Sequence, residues 1–234
     1  MRAWQKEEEK EIQENMDKSK KILWRAGFPK DAVKVKIQER KKGVARDIIR
    51  EAKRGYSCVV VGRKGMSRLR YVALGTITAK LLERLTFIPL FVVGGCKPPV
   101  KILLALSGSE SSMRRVDYVG RLLFDCDCDV HLIHVIRYRA DALAKETKRK
   151  MDSLFSMAKS HLMDYGFDSH QISSKIITGA RSRAGAIAKE GKDGGYCTIV
   201  VGRRGQTKAT DFFIGGVSNK VVQLGREKVV LVVN

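Results

Sequence analysis

A glycine pattern that occurs twice constrains the fold of this chain more than any other feature. Three glycines make up each copy: Gly62, Gly65 and Gly75 in the first, and Gly202, Gly205 and Gly215 in the second. The offset between the copies is 140 residues at all three positions. An apolar run before the first glycine of each copy predicts a strand that is buried on both faces. Each copy therefore predicts a buried strand, a glycine loop and the start of a helix.

The same pattern indicates an anion site. Glycine lets a ligand approach the backbone closely, and the free N–H groups of a helix start favour phosphate. For one copy alone, the simpler interpretation is that the glycines only form tight turns between strand and helix. The duplication at fixed spacing favours the phosphate site over that alternative.

The rest of the chain predicts an α/β protein in two repeats of unequal length. Residues 100–234 alternate five strands with helices, which predicts a doubly wound parallel sheet. Residues 1–96 hold the last three strands of that pattern, with an alternating segment at residues 33–37 as the first of them. Pro98 and Pro99 mark the boundary. The predicted domains are residues 1–96, incomplete, and residues 100–234, complete.

Composition limits the functional classes. The N-terminal segment has no apolar core of a signal peptide, no apolar run is long enough for a membrane span, and the five cysteines form no Cys-x-x-Cys pair. These features predict a cytoplasmic protein with reduced thiols, no metal site and no membrane contact. The net charge of +21 attracts polyanions through counterion release. No recognition-helix, RNP or zinc-finger pattern accompanies it, so contact with nucleic acid is predicted only through non-specific charge.

Two motifs together resemble the universal stress protein family. The first-copy signature Gly-x2-Gly-x9-Gly-Thr, ending at Thr76, is similar to the family's nucleotide signature in full. The stretch that begins at Lys101 and ends in Ser-Gly-Ser-Glu-x-Ser resembles the family's opening strand and loop. The resemblance covers the whole chain as a tandem pair with a truncated first copy. It implies a five-stranded parallel sheet of order 3-2-1-4-5 and a ligand crevice between the ends of strands 1 and 4.

The resemblance also implies a set of nucleotide-binding residues. In the second repeat they are Ala105, Leu106, Ser107, Val135, Val201, Gly202, Arg204, Gly205, Gly215, Gly216, Val217 and Ser218. In the first they are Gly62, Gly65, Gly75, Thr76 and Thr78. Two second-repeat positions depart from the family pattern, since Ser107 replaces an aspartate and Gly216 replaces a hydroxyl residue. Arg203 and Arg204 could add positive charge toward a phosphate. One lost hydrogen bond to a charged group lowers affinity about tenfold to a hundredfold.

The first copy has the fuller signature but lacks the opening strands. In the order 3-2-1-4-5, the absence of strands 1 and 2 would leave the strand at residues 33–37 without a ladder partner. The strand at residues 59–61 would have an open edge, which is a template for pairing with another chain. We therefore expect this copy to be incomplete as it stands, and the chain to self-associate.

Three functions are compatible with these features. The leading hypothesis is a stress or regulatory protein that binds ATP or a related adenine nucleotide, with magnesium only as the counter-ion of ATP. Either a homodimer or an intramolecular domain pair would form across the last strands, as the resemblance implies. The alternative is a non-nucleotide binding module whose basic surface contacts nucleic acid or an acidic protein. The third is an enzyme such as a slow ATPase, but no Ser/His/Asp set supports catalysis, so we predict no catalytic residues.

Overall fold

The computed structural model describes residues 3–64, 74–95, 101–109, 111–137, 142–203 and 214–234. The chain divides into two compact units, residues 1–41 and residues 42–234. The first unit contains helix α1 (Ala3–Arg25) and a single 3-10 turn (Lys30–Ala32).

The predicted strand at residues 33–37 is wrong. The backbone there is irregular, with Val35 and Ile37 38% and 52% exposed. An alternating apolar pattern becomes a strand only when a neighbouring strand takes up its N–H and C=O groups, and within the described ranges no strand pairs with these residues.

The second unit is built on one sheet with helices on both faces. Its strands are β1 (Val59–Gly62), β2 (Leu90–Val93), β3 (Lys101–Ala105), β4 (Asp129–Val135), β5 (Ile172–Ile177), β6 (Thr198–Gly202) and β7 (Val229–Val233). Its helices are α2 (Val44–Ala52), α3 (Thr76–Arg84), α4 (Ser111–Leu123), α5 (Ala142–Asp164), α6 (Arg183–Asp193) and α7 (Gly216–Leu224). The doubly wound α/β prediction is confirmed, although the described sheet has seven strands rather than five.

The strand order is β1-β2-β7-β6-β3-β4-β5. The five strands of residues 100–234 are parallel to one another, and read along the chain their order is 3-2-1-4-5. One apolar core lies on the sheet face covered by α2, α3, α6 and α7. The other lies beneath α4 and α5 on the opposite face. The helix that follows β3 is therefore on one face, and the helix that follows β6 is on the other.

The two glycine-motif copies meet where β2 pairs antiparallel with β7. Phe91 lies opposite Leu231, its own counterpart at the offset of 140 residues. The flanking pairs, Leu90 with Val232 and Val92 with Val230, are interchanged by the same offset. The register is therefore symmetric about the Phe91–Leu231 pair. Within the chain, the two last strands form the intramolecular pairing that the sequence analysis offered as one alternative.

Two equivalent arginines fasten the copies together. Arg63 follows β1 and donates to the carbonyls of Val222 and, at 2.7 Å, Gly225 at the end of α7. Arg203 follows β6 and donates to the carbonyls of Glu83 and, at 3.0 Å, Leu85 at the end of α3. Arg63 and Arg203 are 5% and 3% exposed. Because the last carbonyls of a helix lack intrahelical partners and carry partial negative charge, each arginine caps the helix of the other copy.

Burial lowers the pKa of Arg63, and the nearby positive charge of Arg226 lowers it further. The Arg63 side chain is thus held by helix-end carbonyls, which supply the negative potential that a carboxylate would otherwise provide.

Two further sequence expectations concern cysteines and membranes. Cys58, Cys126 and Cys128 are free thiols. Cys197 is disulfide-bonded, which contradicts the expectation of a reduced thiol there. Across the described ranges, no helix combines the length and the apolar character needed to cross a bilayer. The domain boundary at residues 96–100 lies outside the described residues, and the division into domains 1–96 and 100–234 stays a prediction.

Candidate functional site

The candidate site is a crevice at the carboxyl ends of β3 and β6. These strands are parallel neighbours, with Leu104 opposite Val200. The chain leaves β3 toward α4 on one face of the sheet and leaves β6 toward α7 on the other. Connections that diverge to opposite faces open a crevice between the two strand ends, which is where open parallel sheets bind ligands. The predicted position of the crevice therefore coincides with the switch point of this sheet.

One wall of the crevice is the junction of β6 with α7. Ser218 Oγ, buried in the first turn of α7, donates to the carbonyl of Gly202 at the end of β6. The Gly215 N–H donates to the Arg203 carbonyl at 2.7 Å. These two contacts fix the helix start against the strand end. That proton already serves the fold. Ser218 could therefore contact a phosphate, which only accepts, by sharing its proton between the Gly202 carbonyl and the phosphate oxygen.

The first turn of α7 offers main-chain donors. The helix's first main-chain bond runs from the Asn219 N–H to the Gly215 carbonyl at 3.0 Å. The N–H groups of Gly216, Val217 and Ser218 have no main-chain acceptor among the described residues. A Cβ added to Gly216 would meet no atom within 4 Å. N–H groups at a helix start that lack an intrahelical acceptor are favourable for binding an anion.

The other wall is the segment that follows β3. Leu106 is buried, Ser107 is half-buried, and Gly108 has a φ of 71°, which favours glycine. His134 on β4 donates through Nδ1 to the Leu106 carbonyl at 2.8 Å. Burial lowers the pKa of His134, while the Leu106 hydrogen bond opposes that shift. The neutral His134 ring thus holds the main chain of this wall in place.

Several serine hydroxyls and one arginine side chain form a hydrogen-bonded cluster in this wall. Arg115 on α4 is 2% exposed. Its Nη2 donates to Ser107 Oγ at 3.1 Å and to Ser112 Oγ at 2.8 Å. Its Nη1 donates to Ser111 Oγ at 3.4 Å. Sequence analysis missed this buried arginine. The signal that could have found it is its spacing of three and four residues from Ser112 and Ser111, which places all three on one side of a helix.

The remaining predicted binding residues of the second repeat differ in burial, and two of them lie outside the described ranges. Ala105 is half-buried at the end of β3. Val135 and Val201 are 4% and 2% exposed within the core under α6 and α7. Their side chains pack against that core, so contact with a ligand would be through their main chain. Arg204 and Gly205 lie outside the described residues.

The first copy repeats the contacts between strand end and helix start, but the described sheet has no counterpart of the β3 wall there. Thr78 Oγ1 donates to the Gly62 carbonyl at 2.9 Å, and the Gly75 N–H donates to the Arg63 carbonyl at 2.9 Å. Thr76 begins α3. In the described sheet, however, β1 pairs only with β2, so no strand stands beside β1 where β3 stands beside β6. Gly65 lies outside the described residues.

The hypothesis that Arg203 adds charge toward a phosphate is wrong. Two of its guanidinium nitrogens donate to the end of α3, and the group is almost fully buried. The physical reason is that the C-terminus of α3 lies within reach across the β2–β7 pairing and offers carbonyls with partial negative charge.

Comparison with known proteins identifies the family. The sequence model of the universal stress protein family matches residues 100–233, which is more than half of the chain. The chain belongs to the universal stress protein family. The match covers the second repeat only, so the tandem form, with residues 1–96 as a first repeat, stays a prediction.

Individual relatives agree with this membership. The universal stress protein YxiE of Bacillus subtilis is 25% identical over 149 residues, which span 56% of this chain and 97% of that protein. A putative universal stress protein of Pseudomonas aeruginosa covers 82% of this chain and 69% of its own, with a TM-score of 0.62 at 18% identity. A universal stress protein of Archaeoglobus fulgidus covers 95% of this chain and 78% of its own, with a TM-score of 0.58 at 18% identity. The likeness in fold therefore extends beyond residues 100–233.

Proposed function

We propose that this universal stress protein binds ATP or a related adenine nucleotide between the ends of β3 and β6, in a stress-response or regulatory role. The observation that carries the proposal is the α7 start beside the switch point, where the N–H groups of residues 216–218 have no main-chain acceptor within the described ranges. Main-chain donors at a helix start suit the phosphates. The half-buried Ser107 offers a hydroxyl to the ribose or base.

Binding rather than catalysis is proposed because the described part of the chain lacks a catalytic arrangement. His161 contacts Asp117 at 3.0 Å and His131 contacts Ser173 at 2.6 Å, but both pairs lie on helices or strands away from the crevice. No cluster of metal-ligating side chains occurs among the described residues. Magnesium is therefore assigned only to the phosphates of the nucleotide, as their counter-ion.

The test is the change in melting temperature on adding ATP at constant ionic strength. The wild-type melting temperature should rise, because a ligand of the folded state stabilises it. Gly215→Val should abolish the rise, since a β-branched side chain would stand at the start of α7 where the phosphates are proposed. The backbone at Gly215, with a φ of −58° and a ψ of 144°, is open to any residue, so the substitution itself introduces no conformational strain.

Gly75→Val is the matched control. Gly75 is the equivalent helix cap of the first copy, with a φ of −67° and a ψ of 150°, but in the sheet as described no strand lies beside β1 to form a second wall. This variant should keep the full response to ATP. Equal responses in all three proteins would place the nucleotide elsewhere. Identification of any co-purified nucleotide by mass spectrometry would complete the test.

The salt dependence of binding distinguishes the alternative function, a basic surface that binds polyanions, from nucleotide binding. Binding of polyanions through the net charge of +21 should weaken steeply with salt, and Gly215→Val should leave it unchanged. ATP binding at the α7 start should be lost in Gly215→Val at every salt concentration. A response to ATP that follows salt and ignores Gly215 would favour the basic binding module.

A further inference from the structure

The buried guanidinium of Arg115 has no counter-charge in the described part of the chain. Within the described residues, no carboxylate oxygen lies within 4 Å of it. A buried charge is costly unless it is paired or fully hydrogen-bonded. Burial, with a smaller contribution from Arg114, lowers the pKa of Arg115 to about 10, which leaves the group protonated at neutral pH. The crevice wall at β3 therefore holds a positive charge.

The hydrogen-bond capacity of Arg115 is also incomplete. A guanidinium has five N–H groups, and three of them are used on serine hydroxyls. The Nε atom is buried and has no acceptor. All of its described partners are neutral, and a buried donor without an acceptor is unfavourable. Arg115 is thus a buried cation whose charge its described partners do not neutralise.

The serine cluster, defined as Ser107, Ser109, Ser111 and Ser112, connects this charge to the surface. Ser109 Oγ is 2.8 Å from Ser107 Oγ and 2.9 Å from Ser111 Oγ. Ser107, Ser109 and Ser111 are half-buried, whereas Ser112 is fully buried. Hydroxyl groups that accept from a guanidinium are polarised to donate more strongly in turn. The cluster is therefore a solvent-reachable set of hydroxyls above a buried cation.

We propose that Arg115 and the serine cluster form an oxyanion site at the end of β3, which takes a phosphate, sulfate or carboxylate group. This site lies on the wall opposite the start of α7, and it is independent of the nucleotide phosphates proposed there. It gives the crevice a positive charge on the side where the family resemblance leads one to expect an aspartate. The anionic group can belong to a larger ligand or be a free anion, and the two sources share this chemistry.

The test uses the full chain and isothermal titration with inorganic phosphate at constant ionic strength. Wild type should show saturable binding. Arg115→Met should weaken it by about tenfold to a hundredfold, the effect of losing hydrogen bonds from a charged group. Arg114→Met is the matched control, because Arg114 is the exposed neighbour and its loss changes the net charge equally. That variant should bind phosphate as wild type does.

A second variant keeps the test informative if Arg115→Met does not fold. Ser107→Asp would place a carboxylate beside Nη2 and supply the missing counter-charge from within. It should raise the melting temperature and abolish phosphate binding. Glu110 lies outside the described residues, so Glu110→Gln is included as a further arm. Phosphate binding that appears only in Glu110→Gln would show that the chain neutralises Arg115 itself and would overturn the proposal.

Three further outcomes would contradict the proposed oxyanion site. No saturable phosphate binding in wild type, equal losses in Arg114→Met and Arg115→Met, or unchanged binding in Ser107→Asp would each overturn the site. Titration of ATP with and without inorganic phosphate identifies the source of the anion. Phosphate should weaken ATP binding if a phosphate of ATP occupies the site, and should leave ATP binding unchanged if the site takes a separate anion. Gly215→Val should leave phosphate binding intact, so failure of the nucleotide proposal and failure of this one are distinguishable.

Discussion

The unit β1–α3–β2 and its counterpart β6–α7–β7 share a fold but differ in what covers one face of their strands. Val60 is 62% exposed, whereas Val200 at the equivalent position is 1% exposed. Val93 is 36% exposed and Val233 is 4% exposed. The second copy has α4 and α5 over this face, and Val200 and Val233 belong to the core that these helices close. The same apolar pattern is therefore core in one copy and surface in the other.

The comparison teaches that burial is decided by the neighbours and not by the strand's own sequence. The face that the two copies share, beneath α2, α3, α6 and α7, is packed in both: Leu81 and Val221 are each 0% exposed. Only the face that needs elements supplied from outside the repeated unit differs. Judged by the described residues, the exposed apolar face of β1 and its unpaired edge together mark a surface that favours association.

The largest expected effect comes from placing a charge at each of the two equivalent valines. Val200→Asp should lower the free energy of unfolding by more than about 4 kcal/mol, because it buries an unpaired carboxylate. Val60→Asp should change it by less than about 0.5 kcal/mol, as at other exposed positions. Urea unfolding followed by circular dichroism measures both. A large loss in Val60→Asp would mean that this face is covered in solution, and light scattering would then show whether a second molecule covers it.

An intermediate effect is expected from the two capping arginines, which should behave alike. Arg63→Met and Arg203→Met each remove two hydrogen bonds to helix-end carbonyls, and each should cost about 2–4 kcal/mol. Arg226→Met, at an exposed arginine near the same junction, should cost less than about 0.5 kcal/mol. Denaturant midpoints give the comparison. A loss of stability in only one of these two variants would contradict the equivalence of Arg63 and Arg203.

The smallest effect sharpens the comparison of the two glycine signatures. Gly216→Ser restores the hydroxyl that Thr76 provides in the first copy, and the site has room for it. It should tighten ATP binding about tenfold, the lower end expected for one hydrogen bond to a charged group. Thr76→Gly makes the reverse change in the copy without a second wall and should leave ATP binding unaltered. Titration calorimetry measures the ATP affinity of both variants. Weaker ATP binding in Gly216→Ser would contradict the proposed position of the phosphates.

The local part of this structure was predictable from sequence. The duplicated glycines correctly predicted the strands β1 and β6 and the helices that follow them, because strand, turn and helix start depend on neighbouring residues. The prediction that the strand of each copy is buried on both faces is wrong for β1, where Val60 is 62% exposed. The crevice between β3 and β6 followed from the resemblance and coincides with the observed switch point. The assignment of individual ligand contacts stays a prediction.

The parts that failed depend on contacts between distant residues. Arg203 caps α3 instead of adding charge toward a phosphate. Arg115 is not evident from sequence because arginines are rarely buried and are interpreted as surface charge. The strand at residues 33–37 failed since its pattern was right but its partner is absent from the described sheet. Only the three-dimensional neighbours distinguish these outcomes.

The symmetric register of β2 on β7 has a genetic consequence. When two identical chains pair through a strand in this way, one codon change alters both halves of the assembly at once. Here the halves are joined in one chain, with Phe91 opposite Leu231 at the axis. Each half can therefore change alone while the junction is kept. The threonine at position 76 and the glycine at position 216 are such a divergence: one half has the hydroxyl and the other has the second wall.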